Sequence, residues 1–164
     1  MKEYEYSYKV KSIKPYIEYC EENGYILKDE TKQVRTLYRN SNGTMARITK
    51  KTANEITSLI FDIKDDNLTD EKLKISGETL PLFYNKNQQD VIDSIIDILG
   101  YRKDVDLIRT RLVYKKDNHK FEIDDYESPE KMFVVAIEGL KEEVDDVYKL
   151  LSNINKKLVL KDKW

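Results

Sequence analysis

Pairs of like charges, separated by one residue, recur in this chain where a strand would point them the same way. Glu3 and Glu5 lie in the alternating segment EYEYSYKV, whose even positions are Tyr4, Tyr6, Tyr8 and Val10. Arg109 and Arg111 repeat the spacing with positive charge, opposite Ile108, Thr110, Leu112 and Tyr114. Side chains two apart on a strand share a face. Arg47 in TMARITK, Asp62 and Lys64 in EITSLIFDIK, and Glu138 in VVAIE also oppose apolar rows. One face of an antiparallel sheet is often solvated, and polar residues there need no function. Like charges on neighbouring positions repel, however, so a merely wet face favours mixed signs. Segregated carboxylates and segregated Arg/Lys fit a bound polyanion bridged to the carboxylates by a divalent cation.

Other chemistry is scarce. The one cysteine, Cys20, rules out an internal disulfide and reads as a half-buried thiol on a helix. The one histidine, His119, lies in the polar turn KKDNHK and reads as a solvated residue. Neither a His-based metal site nor a Ser-His-Asp triad is expected. Any metal must then be held by carboxylates, which favours hard ions such as Mg²⁺ or Mn²⁺. The 29 Lys+Arg nearly cancel the 31 Asp+Glu, which argues against binding DNA through a basic surface. There is no signal-like apolar segment and no apolar run near 18 residues, so the chain reads as soluble, cytoplasmic and not bound to a membrane.

The elements that must carry these charges follow from periodicity. Residues 3–10 read as a strand, and 13–23 as a helix with Pro15 in its first turn and Gly24 as its stop. Residues 25–39 read as one long strand, or two short ones broken around Lys28–Lys32. NSNG at 40–43 marks a hairpin, returning over 44–50. A strand at 55–64 and a polar loop, DDNLTDEK, precede an extended stretch at 72–84, interrupted near Gly77. Residues 87–99 form an amphipathic helix with Val91, Ile92, Ile95, Ile96 and Leu99 on its apolar stripe. Strands at 105–115, 119–125 and 132–138 follow. A helix at 141–153 then turns Val144, Val147, Leu150 and Leu151 inward. At 164 residues this is one domain over 1–153 with a C-terminal tail, 154–164. Hairpins without regular βαβ alternation imply an α+β chain on a large antiparallel sheet. Each half also carries a helix ending in Gly-Tyr, Gly24-Tyr25 and Gly100-Tyr101, followed by an Arg-bearing hairpin.

In this order the motifs resemble the CYTH superfamily, the triphosphate tunnel metalloenzymes. That group includes class IV adenylyl cyclases, thiamine triphosphatases, tripolyphosphatases and RNA triphosphatases. Glu3-x-Glu5 resembles the family's N-terminal ExE, MARIT its basic strand, and FDIK a strand ending in Lys. ILGY followed by LIRTRLVY, and FEIDDYESPEKMFVVAIEG, resemble its later motifs over roughly residues 1–150. The resemblance implies a closed or nearly closed antiparallel β-barrel of about eight strands, with helices packed outside and charge within. It implies a Mg²⁺ or Mn²⁺ cofactor and a triphosphate-containing small molecule as partner; a homodimer is left open.

By the same resemblance Glu3, Glu5, Glu78 and Glu138 are metal candidates, with Glu5 and Asp124 catalytic. Lys9, Arg47, Lys64, Arg109 and Arg111 are phosphate candidates. Glu78, in KISGETL, also reads as a turn residue after Gly77. Three positions depart from the family: Ser7 stands where a Lys is expected, Thr49 where an Arg is, and Ala136 where a Glu is. Hydrolysis of a triphosphate, cyclisation of ATP to cyclic AMP and pyrophosphate, and binding without turnover are the activities this leaves.

Overall fold

The computed structural model describes residues 2–65 and 73–161. Its strands are β1 (Lys2–Val10), β2 (Ile26–Arg39), β3 (Met45–Ala53), β4 (Ile56–Asp65), β5 (Lys74–Glu78), β6 (Leu82–Tyr84), β7 (Arg102–Lys116), β8 (His119–Ser128) and β9 (Met132–Gly139). Helices α1 (Lys14–Glu22), α2 (Gln89–Ile98), α3 (Lys141–Leu150) and α4 (Ser152–Leu158) lie among and after them. Every strand pairing is antiparallel. The order β3-β2-β7-β8-β9-β1-β5-β4, closed by β3 against β4, is an eight-stranded barrel; β6 adds outside the ring on β4. This is the expected α+β barrel.

Tight turns set the register. Asn40 Oδ1 accepts from the backbone N–H of Asn42 and Thr44 and from the Thr44 hydroxyl, locking the β2–β3 turn. Asn54 and Glu55, both at positive φ, join β3 to β4 directly, so Ala53 faces Ile56. β2 is one strand with a register shift between Leu27 and Asp29, not two short ones. The ladder also runs through Gly77, which faces Lys2; the break falls later, at residues 79–81. The expected loop DDNLTDEK lies, beyond its first residue, outside the described residues.

Because charge faces the lumen, the apolar core is built on the outside of the wall. Even-numbered residues of β1 point outward. Tyr6 stacks on Tyr148 of α3 at 4.0 Å between centroids and donates to Asp145 Oδ1 at 2.8 Å. Such ring pairs add about 0.5–1.5 kcal/mol beyond area burial. Tyr16, Phe121, Ile137, Val144 and Leu151 fill this side, between β1, β8, β9 and helices α1 and α3. A second cluster, with Phe61, Tyr84, Ile92 and Ile96, seats α2 on β3 and β4. The helix faces are narrower than their periodicity implies. Leu150, Val91 and Leu99 are exposed, while Leu151, Ile92 and Ile96 do the packing. The helix expected over 141–153 breaks at Leu151 into α3 and α4. The chain after it is attached, since Leu160 N donates to Lys9 O and Lys11 N to Leu158 O.

Both lone residues differ from their sequence reading. Cys20 is fully buried under the first cluster, and burial pushes its thiol up to about 12. His119 is buried and not solvated: Nε2 lies 2.6 Å from the Tyr25 hydroxyl and Nδ1 2.7 Å from Glu143 Oε1. It ties the β7–β8 turn to α3 (Glu143) and to the start of β2 (Tyr25). Gly139 packs against this turn with φ 147°, where a Cβ would fall 2.4 Å from Asn118 O and 2.7 Å from His119 Cα. Gly139→Ala is therefore expected to cost about 2–3 kcal/mol by chemical denaturation. An unchanged denaturation midpoint would contradict that packing.

Candidate functional site

The lumen is a cavity of about 710 Å³. Its lining follows from strand alternation: each strand of the ring contributes every second residue, and most of these are charged. Eight basic and seven acidic side chains line it, so the formal charges of the lining nearly cancel. A second cavity, of about 820 Å³, lies outside the barrel beside β4, β6 and α2. It carries Lys50 and Lys86 but no acidic side chain, and lacks the paired charges that chemistry on a phosphate needs.

Of the candidates read from sequence, Glu3, Glu5, Arg47, Lys64, Glu78, Arg109, Arg111, Asp124 and Glu138 all line this cavity. Lys9 does not: it shares the inward register, but its ammonium meets Glu130 at 3.4 Å, away from the lining residues. Glu78 is part of the ladder and not a turn residue, 3.4 Å from Arg47 and 3.7 Å from Lys64. Asp124 is engaged by a neighbouring cation. Arg111 donates from Nε to Asp124 Oδ1 at 2.7 Å and from Nη2 to Oδ2 at 2.8 Å, so both carboxylate oxygens are engaged by one guanidinium. In this arrangement Asp124 fixes Arg111.

The acidic wall is made by Glu5, Glu122 and Glu138, whose oxygens lie within 4.8 Å of one another. Glu122 was not singled out from sequence. It stands directly opposite Ala136 in the β8–β9 ladder, so the carboxylate missing at 136 is supplied by the adjacent strand. The signal for it was present in HKFEIDD, where Lys120, Glu122 and Asp124 alternate. Burial pushes Glu122 up, but Arg111, Lys120 and Arg109 outweigh it and hold the carboxyl well below its ordinary range. Burial and then Glu122 drive Glu138 well above that range. Burial and then Glu78 raise Glu3 to about 7. Several carboxylates crowd one ammonium, Lys120, so the wall retains protons while Lys120 keeps its charge.

The basic wall shows the same substitution between neighbours. Arg35, also missed, faces Thr49 across the β2–β3 ladder and donates from Nε to the Thr49 hydroxyl at 2.9 Å. A guanidinium from β2 thus reaches the place where Thr49 stands instead of an Arg. Arg47 is held bidentate by Asp62, another residue not assigned from sequence. Arg35 has no carboxylate within ion-pair distance among the described residues. Burial lowers its proton affinity well below the ordinary value, and Arg109, Arg47 and Arg111 lower it further. Arg109 donates to Tyr126 at 2.7 Å and to Gln33 at 3.0 Å, yet its Nη2 is buried without a partner among the described residues. An unpaired guanidinium among like charges and an orphaned buried N–H are both costly unless an anion binds there.

Carboxylate oxygens are the donor set that suits Mg²⁺ or Mn²⁺, and Glu5, Glu122 and Glu138 fit such an ion. No protein-family profile and no curated protein matches the sequence. Solved structures do. The PH1012 protein of Pyrococcus horikoshii OT3 is similar at 16% identity and TM-score 0.70, over 94% of this chain and 88% of that one. HpAC1 from Hippeastrum, described as an adenylyl cyclase candidate with a dominant triphosphatase activity, is similar at 13% identity and TM-score 0.66. That match covers 99% of this chain and 92% of HpAC1. A chain of the Schizosaccharomyces pombe Mediator head module is similar at 10% identity and TM-score 0.67, covering 93% of this chain and 96% of that one. The chain shares its fold with these proteins. Likeness at these identities carries the fold, and the activity is argued from the site.

Proposed function

We propose that the chain binds a triphosphate in the barrel lumen and hydrolyses it with a divalent cation. One observation carries this reading. A three-carboxylate cluster and the uncompensated groups of Arg35 and Arg109 line the same cavity. Glu5, Glu122 and Glu138 would hold Mg²⁺ or Mn²⁺. When bound, such a cation supplies Lewis-acid polarisation of a phosphoryl oxygen and a more acidic water. Arg35, Arg47, Lys64 and Arg109 clamp the phosphates and oppose charge that develops in the transition state. Asp124 orients Arg111, whose Nη1 also donates to Glu122 at 2.8 Å. Glu3, raised to about 7, is the carboxyl able to exchange a proton near neutrality. The filling of positions 49 and 136 from adjacent strands favours a working site over a decayed one. HpAC1 adds support at the level of the fold, through the activity its description gives.

A second reading has its own observation. Leu37, Leu107, Tyr126 and Val134 line the same cavity and offer an apolar bed for an organic group. This suits a nucleoside or thiamine triphosphate, and ATP cyclisation of the class IV type is the alternative activity. A third, binding without turnover, draws on Ser7, Thr49 and Ala136, where the resembled family carries Lys, Arg and Glu. Tripolyphosphate, ATP and thiamine triphosphate, each tested with Mg²⁺ and with Mn²⁺, separate the three. Release of orthophosphate is expected. Cyclic AMP with pyrophosphate would favour the cyclase, and a raised melting temperature without product would favour the binder. No thermal shift from any triphosphate would end all three.

A further inference from the structure

The carboxylate cluster already has a cation of its own. Lys120 faces Glu138 across the β8–β9 ladder, and its ammonium lies 3.0 Å from Glu138 Oε1 and 3.8 Å from Glu122 Oε2. These are two of the three carboxylates whose oxygens converge within 4.8 Å. The two cations at the cluster are not equivalent. Arg111 is fixed by paired bonds to Asp124 as well as one to Glu122, and its side chain is 12% exposed. Lys120 has a flexible stem, its side chain is 36% exposed, and its ion pairs are to the cluster alone among the described residues. A tethered ammonium this close to the shared oxygens opposes a second positive charge on them, and low local polarity strengthens the opposition.

We propose that Lys120 is a built-in counter-ion of the Glu5–Glu122–Glu138 cluster, which a divalent cation must displace in order to bind. This rests on the reading of that cluster as the metal site. Lys120 sets the metal threshold: with it in place the metal-free barrel is held together, and the cation enters only at higher concentration. The released ammonium faces a lumen in which a phosphate oxygen can accept it, so metal and polyphosphate favour each other's entry.

The test is Mn²⁺ binding to the full chain, read from the electron paramagnetic resonance signal of free Mn²⁺, with no substrate present. Lys120→Met is expected to bind Mn²⁺ at least tenfold more tightly than wild type, and Lys120→Arg no more tightly than wild type. Glu138→Gln is expected to lose binding in both the wild-type and the Lys120→Met backgrounds. If Glu138→Gln abolishes binding but Lys120→Met stays within twofold of wild type, Lys120 is no competitor and the metal site stands. If no protein binds Mn²⁺, the site reading fails and this inference with it. Should Lys120→Met unfold without metal, melting curves decide. Mn²⁺ must raise its melting temperature by more than it raises that of wild type, and an equal or smaller rise overturns the proposal.

Discussion

Glu5→Gln is expected to lower metal-dependent release of phosphate from tripolyphosphate by about a thousandfold, close to 4 kcal/mol of transition-state stabilisation. Glu5 is one of three carboxylates converging on one point, and the amide keeps its size while removing its charge. The fold should not suffer. The Glu5 charge is one of the causes that push Glu138 up, so its removal relieves repulsion inside the wall. The melting temperature without metal is expected to hold or rise, while the rise on adding Mn²⁺ shrinks. Wild-type turnover by this variant would remove the cluster from the mechanism. A lost fold would assign Glu5 a structural duty that the geometry does not give it.

Arg35→Gln should separate binding from stability even more sharply. Arg35 is bonded to Thr49 but has no ion-pair partner among the described residues, and loss of solvent, then three neighbouring guanidinium groups, depress its proton affinity. Removing this half-buried charge, which has no ion-pair partner among the described residues, is expected to stabilise the unliganded protein by up to about 1 kcal/mol. The same change should weaken triphosphate binding about a hundredfold, since a buried charge pair lost on one side costs about 2–5 kcal/mol. Opposite signs in the two measurements are the mark of a residue kept for its ligand. A variant both less stable and equally tight in binding would show that Arg35 serves the fold.

Much of this could be read from alternation alone. Glu3 with Glu5, and Arg109 with Arg111, share faces because the pleat repeats every two residues, and the lumen has both pairs. What could not be read was which charge stands beside which. Glu122 completes the cluster only because β8 pairs with β9 in the register that sets it opposite Ala136. Arg35 matters only because β2 sets it opposite Thr49. Single-strand patterning contains neither fact. Register also explains Lys9, whose face was right but whose place along β1 lies beyond the cavity lining. His119 was misread because local polarity in KKDNHK says nothing of Tyr25 and Glu143, which arrive from distant parts of the chain. The helix stripes were overestimated because a helix seated on a curved wall buries one narrow line of side chains. Leu151 therefore packs and Leu150 does not.

The place of β1 has a consequence for how the molecule comes into being. The first strand of the chain sits between β5 and β9, and its Tyr4–Val10 stretch pairs with residues 133–139. The hairpins β2–β3–β4 and β7–β8–β9 can form from near neighbours, but the last stave must wait for the far end of the chain. Pairing across such separation is slow, and the waiting edges of β5 and β9 are sticky in the meantime. The Glu5–Glu122–Glu138 cluster spans the β1–β9 pairing, so it exists only once that pairing has formed. A cation bound there would clasp β1 to β8 and β9, strands distant in sequence, drawing the folding equilibrium toward the closed barrel by mass action.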